Sequence, residues 1–180
     1  MAFIKKKDRQ IIPSEGFEEM STPDELIKLA EKNGIKTDPI NVTELAMVLG
    51  ISIIYEPMPD DDSGSLKIDK KTGSWVMTVN SLHHPHRQRF TIAHELGHRV
   101  KHAREKSLFE DKTFFRNGDS NIVEAQANRF AAELLMPNDV FAHFIEKVSS
   151  KVEDIADHFQ VSSMAVRIRA KQRGYEGHNL

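Results

Sequence analysis

The run His94-Glu95-Leu96-Gly97-His98 constrains this 180-residue chain more than any other stretch. In an α-helix, residues four apart stand one above the other on the same face. Two imidazoles so placed can reach a single metal ion at about 2.0 to 2.1 Å, the usual zinc–nitrogen distance. Glu95 points about 100° around the helix from His94. It lies near such an ion without being forced onto it, placed to act on a water beside it. The H-E-x-x-H spacing is that of zinc hydrolases, and it requires a helix with one face turned to a cleft.

Periodicity supplies that helix. Phe90, Ala93, Leu96, Gly97 and Val100 recur at spacings of three and four and form one apolar stripe from about residue 87 to residue 102, with His94 and His98 outside it. Gly97 costs the helix about 1 kcal/mol relative to alanine, and is expected to admit a neighbouring backbone at close range.

Two histidines are too few, because catalytic zinc usually takes three protein ligands and keeps a fourth position open. His102 repeats the four-residue step, but His94 to His102 spans about 12 Å, too far for one ion; it is read as a substrate-facing or supporting group. A third histidine six residues past His98 would mark the metzincin pattern, and that position holds Arg104. The next strong helical pattern, Ile122 to Met136, has Val123, Ala127, Phe130, Ala131 and Leu134 on its core face. Glu124 sits at the edge of that face, partly buried and in need of a partner, whereas Glu133 shares the polar side with Gln126 and Arg129. Glu124 is the best-placed third ligand. The same edge position equally suits a structural acid paired with arginine, and periodicity does not separate the two.

Two blocks carry a family resemblance: Arg89-Phe90-Thr91-Ile92-Ala93-His94-Glu95-Leu96-Gly97-His98, followed by His102, and Glu124-Ala125-Gln126-Ala127-Asn128-Arg129-Phe130-Ala131-Ala132-Glu133-Leu134-Leu135-Met136-Pro137. In order and spacing they closely resemble the ImmA/IrrE family of metallopeptidases, over about residues 22 to 174. The resemblance implies a zincin-like core and a Zn2+ ion held by His94, His98 and Glu124, with Glu95 as general base. It also implies a protein substrate, typically a helix-turn-helix repressor whose cleavage derepresses mobile-element or stress genes. Beside longer members of that family, the chain is expected to lack an additional C-terminal sensory domain.

Composition narrows the class. At 39% hydrophobic the chain can build one ordinary core with a small appended lobe. A formal net charge of -2 argues against nucleic acid held by bulk electrostatics. The absence of cysteine excludes disulfides and a thiolate zinc site, and neither a signal-peptide core nor an 18-residue apolar run is visible. A cytoplasmic protein is expected.

The expected fold class is α+β: a zincin-like metallopeptidase core with a small antiparallel sheet, and a helical, helix-turn-helix-like C-terminal part. Residues 1–21 read as a charged tail, 22–148 as the metallopeptidase domain and 149–180 as the C-terminal subdomain. Thr22-Pro23-Asp24-Glu25 is a helix start with a capping box, closed at Gly34; a short helix runs from about Val42 to Leu49. Strands are expected at Ile51–Glu56, Ser65–Asp69 and Ser74–Asn80, the last two joined by a Lys70-Lys71-Thr72-Gly73 turn. If the third is an edge strand, a substrate peptide can pair with it. Asp60, Asp61 and Asp62 lack the calcium-loop spacing and read as a solvated loop. His83-His84-Pro85-His86 reads as a surface loop with a helix-starting proline in preference to a second metal site. Lys106 to Asn121 serves equally as a flap or a plain connection.

From Val152 to Gly174 two short helices break near Gln160, with Ser162 capping the second, in a helix-turn-helix-like pattern. Arg167, Arg169, Lys171 and Arg173 decorate the second helix. Because five basic residues face four acidic ones from Lys151 onward, a packing or repressor-docking role is preferred to direct DNA binding. Tyr55, His84, His102 and Tyr175 are unranked candidates for an oxyanion donor. Two alternative functions fit the same residues: a zinc-binding regulator that holds a repressor or DNA without proteolysis, and a toxin–antitoxin component.

Overall fold

Helix α1 (Pro23–Lys32) starts where the capping box places it. The Thr22 hydroxyl accepts from the Glu25 amide at 3.3 Å and the Glu25 carboxylate accepts from the Thr22 amide at 2.9 Å. Hydrogen bonds from Ser21, Thr22 and the Thr22 side chain hold that carboxyl below the ordinary range. The computed structural model describes residues 20–59, 62–102 and 119–175, with backbone alone at 102 and 119–121. The tail before residue 20, Asp60 and Asp61, the 103–118 stretch and the last five residues lie outside the described residues, as does the flap-or-connection question.

Helix α2 (Val42–Val48) leads into three strands, β1 (Ile51–Glu56), β2 (Gly64–Ile68) and β3 (Trp75–Asn80). Four helices follow: α3 (Pro85–His102), α4 (Asp119–Leu135), α5 (Asn138–Lys147) and α6 (Val152–Phe159), and then the last, α7 (Ser163–Gln172). The fold is α+β, a zincin-like core with a helical C-terminal region. Gln160, at φ 54°, breaks α6 from α7, and the Ser162 hydroxyl caps α7 by accepting from Ala165 at 3.1 Å.

The sheet differs from the expected antiparallel one in a single pairing. Its order is β1-β3-β2, with β2 antiparallel to β3 and β1 parallel to it. Strand β3 is therefore central, so the condition under which a substrate peptide could pair with it is not met. Met77, Thr78, Val79 and Asn80 are all buried, so both faces of β3 are covered, as a central strand requires. Asn80 fastens the crossing connection: its amide donates to the Asp62 carbonyl at 2.8 Å, and its side-chain oxygen accepts from Leu82 at 3.0 Å.

The free edge beside α3 belongs to β2, and Gly64 lets it lie there. A Cβ at residue 64 would stand 2.5 Å from the Thr91 methyl and 2.7 Å from the Thr78 carbonyl oxygen. Helices α3 and α4 approach as closely, since a Cβ at Gly97 would meet the Ala127 carbonyl oxygen and Phe130 at 3.2 Å. Leu96, Phe130 and Leu134 are buried between the layers, each contributing about 1.5 to 3 kcal/mol. One continuous cluster of buried side chains runs from Leu26 of α1 to Ala170 of α7.

The C-terminal helices are tied into that core by two arginines. Arg89 of α3 donates to the carbonyls of Ile40 (2.9 Å) and Gln160 (3.2 Å). Arg169, read from the sequence with Arg167, Lys171 and Arg173 as decorating α7, is 2% exposed. It donates to the Met136 carbonyl (3.2 Å) and to Asn138 Oδ1 (2.6 Å), and it faces Glu133 at 3.7 Å. Val166, Arg169 and Ala170 share the inner face of α7, so this cation is structural.

Candidate metal centre

The apolar stripe of α3 is buried against α4 and the sheet, which turns His94 and His98 toward a cleft of roughly 660 Å3 floored by α3 and α4 and walled by β2. The two rings meet edge to face with centroids 4.6 Å apart. Their Nε2 atoms are 3.0 Å apart, and from α4 the Glu124 carboxylate places one oxygen 3.2 Å from His94 Nε2 and the other 3.2 Å from His98 Nε2. Two donors bound tetrahedrally to one zinc ion lie about 3.3 Å apart. The three side chains thus already have the spacing of ligands to a single ion. They are the one such group of three among the described residues.

The donor set fits as well. Two imidazoles and one carboxylate make the His2Glu combination of catalytic zinc sites that leave a position open. His94 Nδ1 donates to Asn128 Oδ1 at 3.0 Å. That bond turns Nε2 toward Glu124 and fixes which nitrogen offers its lone pair to a metal. Asn128 lies one helical turn past Glu124 on α4. Sequence reasoning gave it no role, although the four-residue spacing from a candidate ligand was the signal that could have found it.

Electrostatics bind the three groups together. Burial disfavours a charged His94 ring, but the hydrogen bond to Glu124, the Glu95 and Glu124 carboxylates and the Asn128 bond outweigh it and raise its pKa. Hydrogen bonds from His94 and His98 hold the Glu124 carboxyl far below the ordinary range. Ring and carboxylate share a proton whose place a divalent cation can take. Glu95 is 9% exposed, and burial pushes its carboxyl up against the opposing pull of both histidines.

Glu124 is less buried than expected. Its side chain is 48% exposed and lines the open cleft. Three of the four candidate oxyanion donors are not brought to this place: Tyr55 is exposed on β1, and Tyr175 packs against Phe141 with ring centroids 6.2 Å apart. His84 accepts from the His86 amide at 3.2 Å outside the cleft lining. The His102 side chain lies outside the described residues. The polar groups that do line the cleft beside the ligands are Ser63, Ser65, Lys67, Arg87 and Thr91. In the second histidine cluster, His86 Nδ1 donates to the Val161 carbonyl at 3.1 Å, so this ring anchors α3 to the α6–α7 turn.

No helix among the described residues is long and apolar enough to cross a membrane. Residues 46–171 match the model of the IrrE N-terminal-like domain, a span that holds the sheet and every candidate ligand. The "Uncharacterized immunity region protein 2" of Bacillus phage phi105 is 32% identical over 136 residues, covering 74% of this chain and 82% of its own. Metallopeptidase ImmA of Bacillus subtilis is 30% identical over 159 residues, 82% of this chain and 86% of its own. The radiation response metalloprotease IrrE of Deinococcus radiodurans is 36% identical over 74 residues, 40% of this chain and 22% of that longer protein. Among solved structures, a Mycobacterium tuberculosis transcriptional regulator shares the fold with a TM-score of 0.61 at 21% identity, over 83% of this chain and 46% of that one. With a family match across residues 46–171 and two relatives at 30% and 32% identity aligned over most of both chains, the chain belongs to the ImmA/IrrE family of metallopeptidase-like proteins.

Proposed function

We propose that this protein is a zinc-dependent endopeptidase that cuts a helix-turn-helix repressor and so releases the genes the repressor silences. His94, His98 and Glu124 are the metal ligands, and Glu95 is the general base. The observation that carries this reading is the convergence of two ring nitrogens of α3, 3.0 Å apart, on the Glu124 carboxylate of α4, one oxygen 3.2 Å from each nitrogen, with a buried carboxylate one residue from His94. A zinc ion held there would lower the pKa of water toward 7 and polarise a carbonyl. Glu95, made more basic by burial, takes the proton from the attacking water and passes it to the leaving amine. Asn128 keeps the His94 ring in its productive tautomer.

Strand β2 orients the substrate. It pairs with β3 on one side and lines the cleft with Gly64, Ser65, Leu66 and Lys67 on the other. An extended polypeptide added along that edge lies beside the histidines, held by main-chain hydrogen bonds that ignore sequence. Specificity must then come from side chains beyond the edge.

The deciding experiment incubates the zinc-loaded protein with a candidate helix-turn-helix repressor, sought first among the products of genes neighbouring its own. The wild type is expected to cut it, Glu95→Gln to keep zinc and lose cleavage by about 10² to 10⁴-fold, and Glu124→Ala to lose zinc. Cleavage that survives Glu95→Gln refutes the mechanism. A repressor bound but left whole by the wild type selects the non-proteolytic regulator instead.

A further inference from the structure

A second groove, of roughly 560 Å3, opens between α7 and the α3–α4 pair. Its walls are largely carbon: Phe90, Ala125, Ala132, Met164, Ala165 and Ile168. Met164 and Ile168, four residues apart on α7, are 64% and 50% exposed, unusual for large apolar side chains flanking a concave surface. The groove adjoins the metal cleft, and Arg87, Phe90 and Asn128 line both. Its lining includes the cations Arg87 and Arg129 and no carboxylate, with Arg129 also paired to Glu133 at 3.2 Å along α4. From Ser162 to Gly174 α7 and its caps contain no acidic residue.

We infer that this groove is the specificity subsite of the cleft, and that its occupant is a segment of the substrate polypeptide bearing two large apolar side chains next to a carboxylate. The inference rests on the proteolytic reading of the cleft. Distance supports the assignment. Phe90 lies one helical turn, about 6 Å, from His94, which equals about two residues of extended chain at 3.3 Å each. A polypeptide lying along β2 with its reacting carbonyl at the histidines therefore delivers the side chain two or three residues away into the groove. Apolar contact with Met164 and Ile168 gives affinity, and the cationic rim selects an acidic neighbour. Duplex DNA suits this surface poorly, since a base-reading helix presents polar groups to base edges, whereas this side of α7 presents Met164, Ala165 and Ile168 to a concavity.

The test reads binding, not cutting. Three labelled peptides on one scaffold are titrated against the 180-residue, zinc-loaded Glu95→Gln protein: one with leucines two residues apart, on one side of an extended chain, flanked by glutamates, one with the leucines replaced by serine, and one with the glutamates replaced by lysine. The Leu/Glu peptide is expected to bind, and the other two to bind at least about tenfold more weakly. Ile168→Glu and Met164→Glu should each weaken the Leu/Glu peptide by at least about tenfold. Both positions are exposed enough for the fold to survive, which unchanged zinc content and melting temperature would verify. Equal affinity for the three peptides, no binding up to about 1 mM, or indifference to both substitutions overturns the inference. So does binding of a labelled DNA duplex that Ile168→Glu abolishes while the peptides stay unbound. A protein that never cuts a peptide bond can still give the expected pattern, and one that cuts while ignoring α7 refutes the groove and leaves the cleft reading intact.

Discussion

Replacing Asn128 by alanine tests whether the metal centre depends on its support as well as on its ligands. The His94 Nδ1 to Asn128 Oδ1 separation of 3.0 Å is that of an ordinary N–H···O bond. Such a bond contributes about 0.5 to 1.5 kcal/mol net, and loss of an imidazole's outer partner typically costs about 10 to 100-fold in metal affinity. Asn128 is exposed, so water can take over part of the interaction, which places the loss near the lower end. Asn128→Ala is therefore expected to weaken zinc about tenfold, or about 1.4 kcal/mol, while changing thermal stability of the metal-free protein by no more than about 0.5 kcal/mol. Asn128→Asp supplies a charged acceptor, roughly twice as strong, and should restore or exceed wild-type affinity. Competition against a chromogenic chelator measures all three proteins. Zinc affinity of Asn128→Ala within twofold of wild type, or an aspartate no better than alanine, would refute the reasoning.

Three more outcomes follow from the geometry. Arg169→Met removes donors from the Met136 carbonyl and Asn138 deep in the fold; a loss of about 2 to 4 kcal/mol is expected, read as a lowered melting temperature, and an unchanged melt would show that the cation is dispensable. Gly64→Ala should destabilise by about 1 to 3 kcal/mol because the new Cβ meets the Thr78 backbone as well as the Thr91 methyl. Adding Thr91→Ser should rescue it only in part, and complete rescue would exonerate the backbone contact. For pH, the raised pKa of His94 gives the metal-free protein stability that is full below the unfolded value of 6.5 and lost as pH rises through the folded value. Zinc competes with that same proton, so the increase in melting temperature on adding zinc should shrink as pH falls through the raised value toward 6.5; an increment that grows on acidification would contradict the assigned ligands.

How much of this was legible in the sequence depended on whether the signal was local. Thr22 with Glu25, Ser162 and the α3 stripe are relations within one turn or one helix, and the structure repeats them. Strand order is not local: the alternation in Trp75 to Asn80 looks alike for an edge and for a centre, and only the β1–β3 pairing across the chain makes it central. Arg169 was misread for the opposite reason. Its spacing from Val166 and Ala170 already placed it on the inner face, but a guanidinium is usually assigned to solvent, and the carbonyl and amide that receive it come from the α4–α5 connection and the first residue of α5, more than thirty residues earlier.

The candidate metal centre lies between these cases. The histidine pair is a property of one helix and stands out in the sequence; the placement of Glu124 beside it is a property of how closely two helices approach. At Gly97, side-chain atoms are absent where the Ala127 carbonyl and Phe130 come within 3.2 Å of a notional Cβ. Since Ala127 is three residues from Glu124 on the same helix, any residue at 97 that forces α4 outward also carries the carboxylate away from both rings. The glycine inside the motif thus governs the one distance that the motif itself does not encode, and the H-E-L-G-H run specifies its partner helix by what it omits as much as by what it contains.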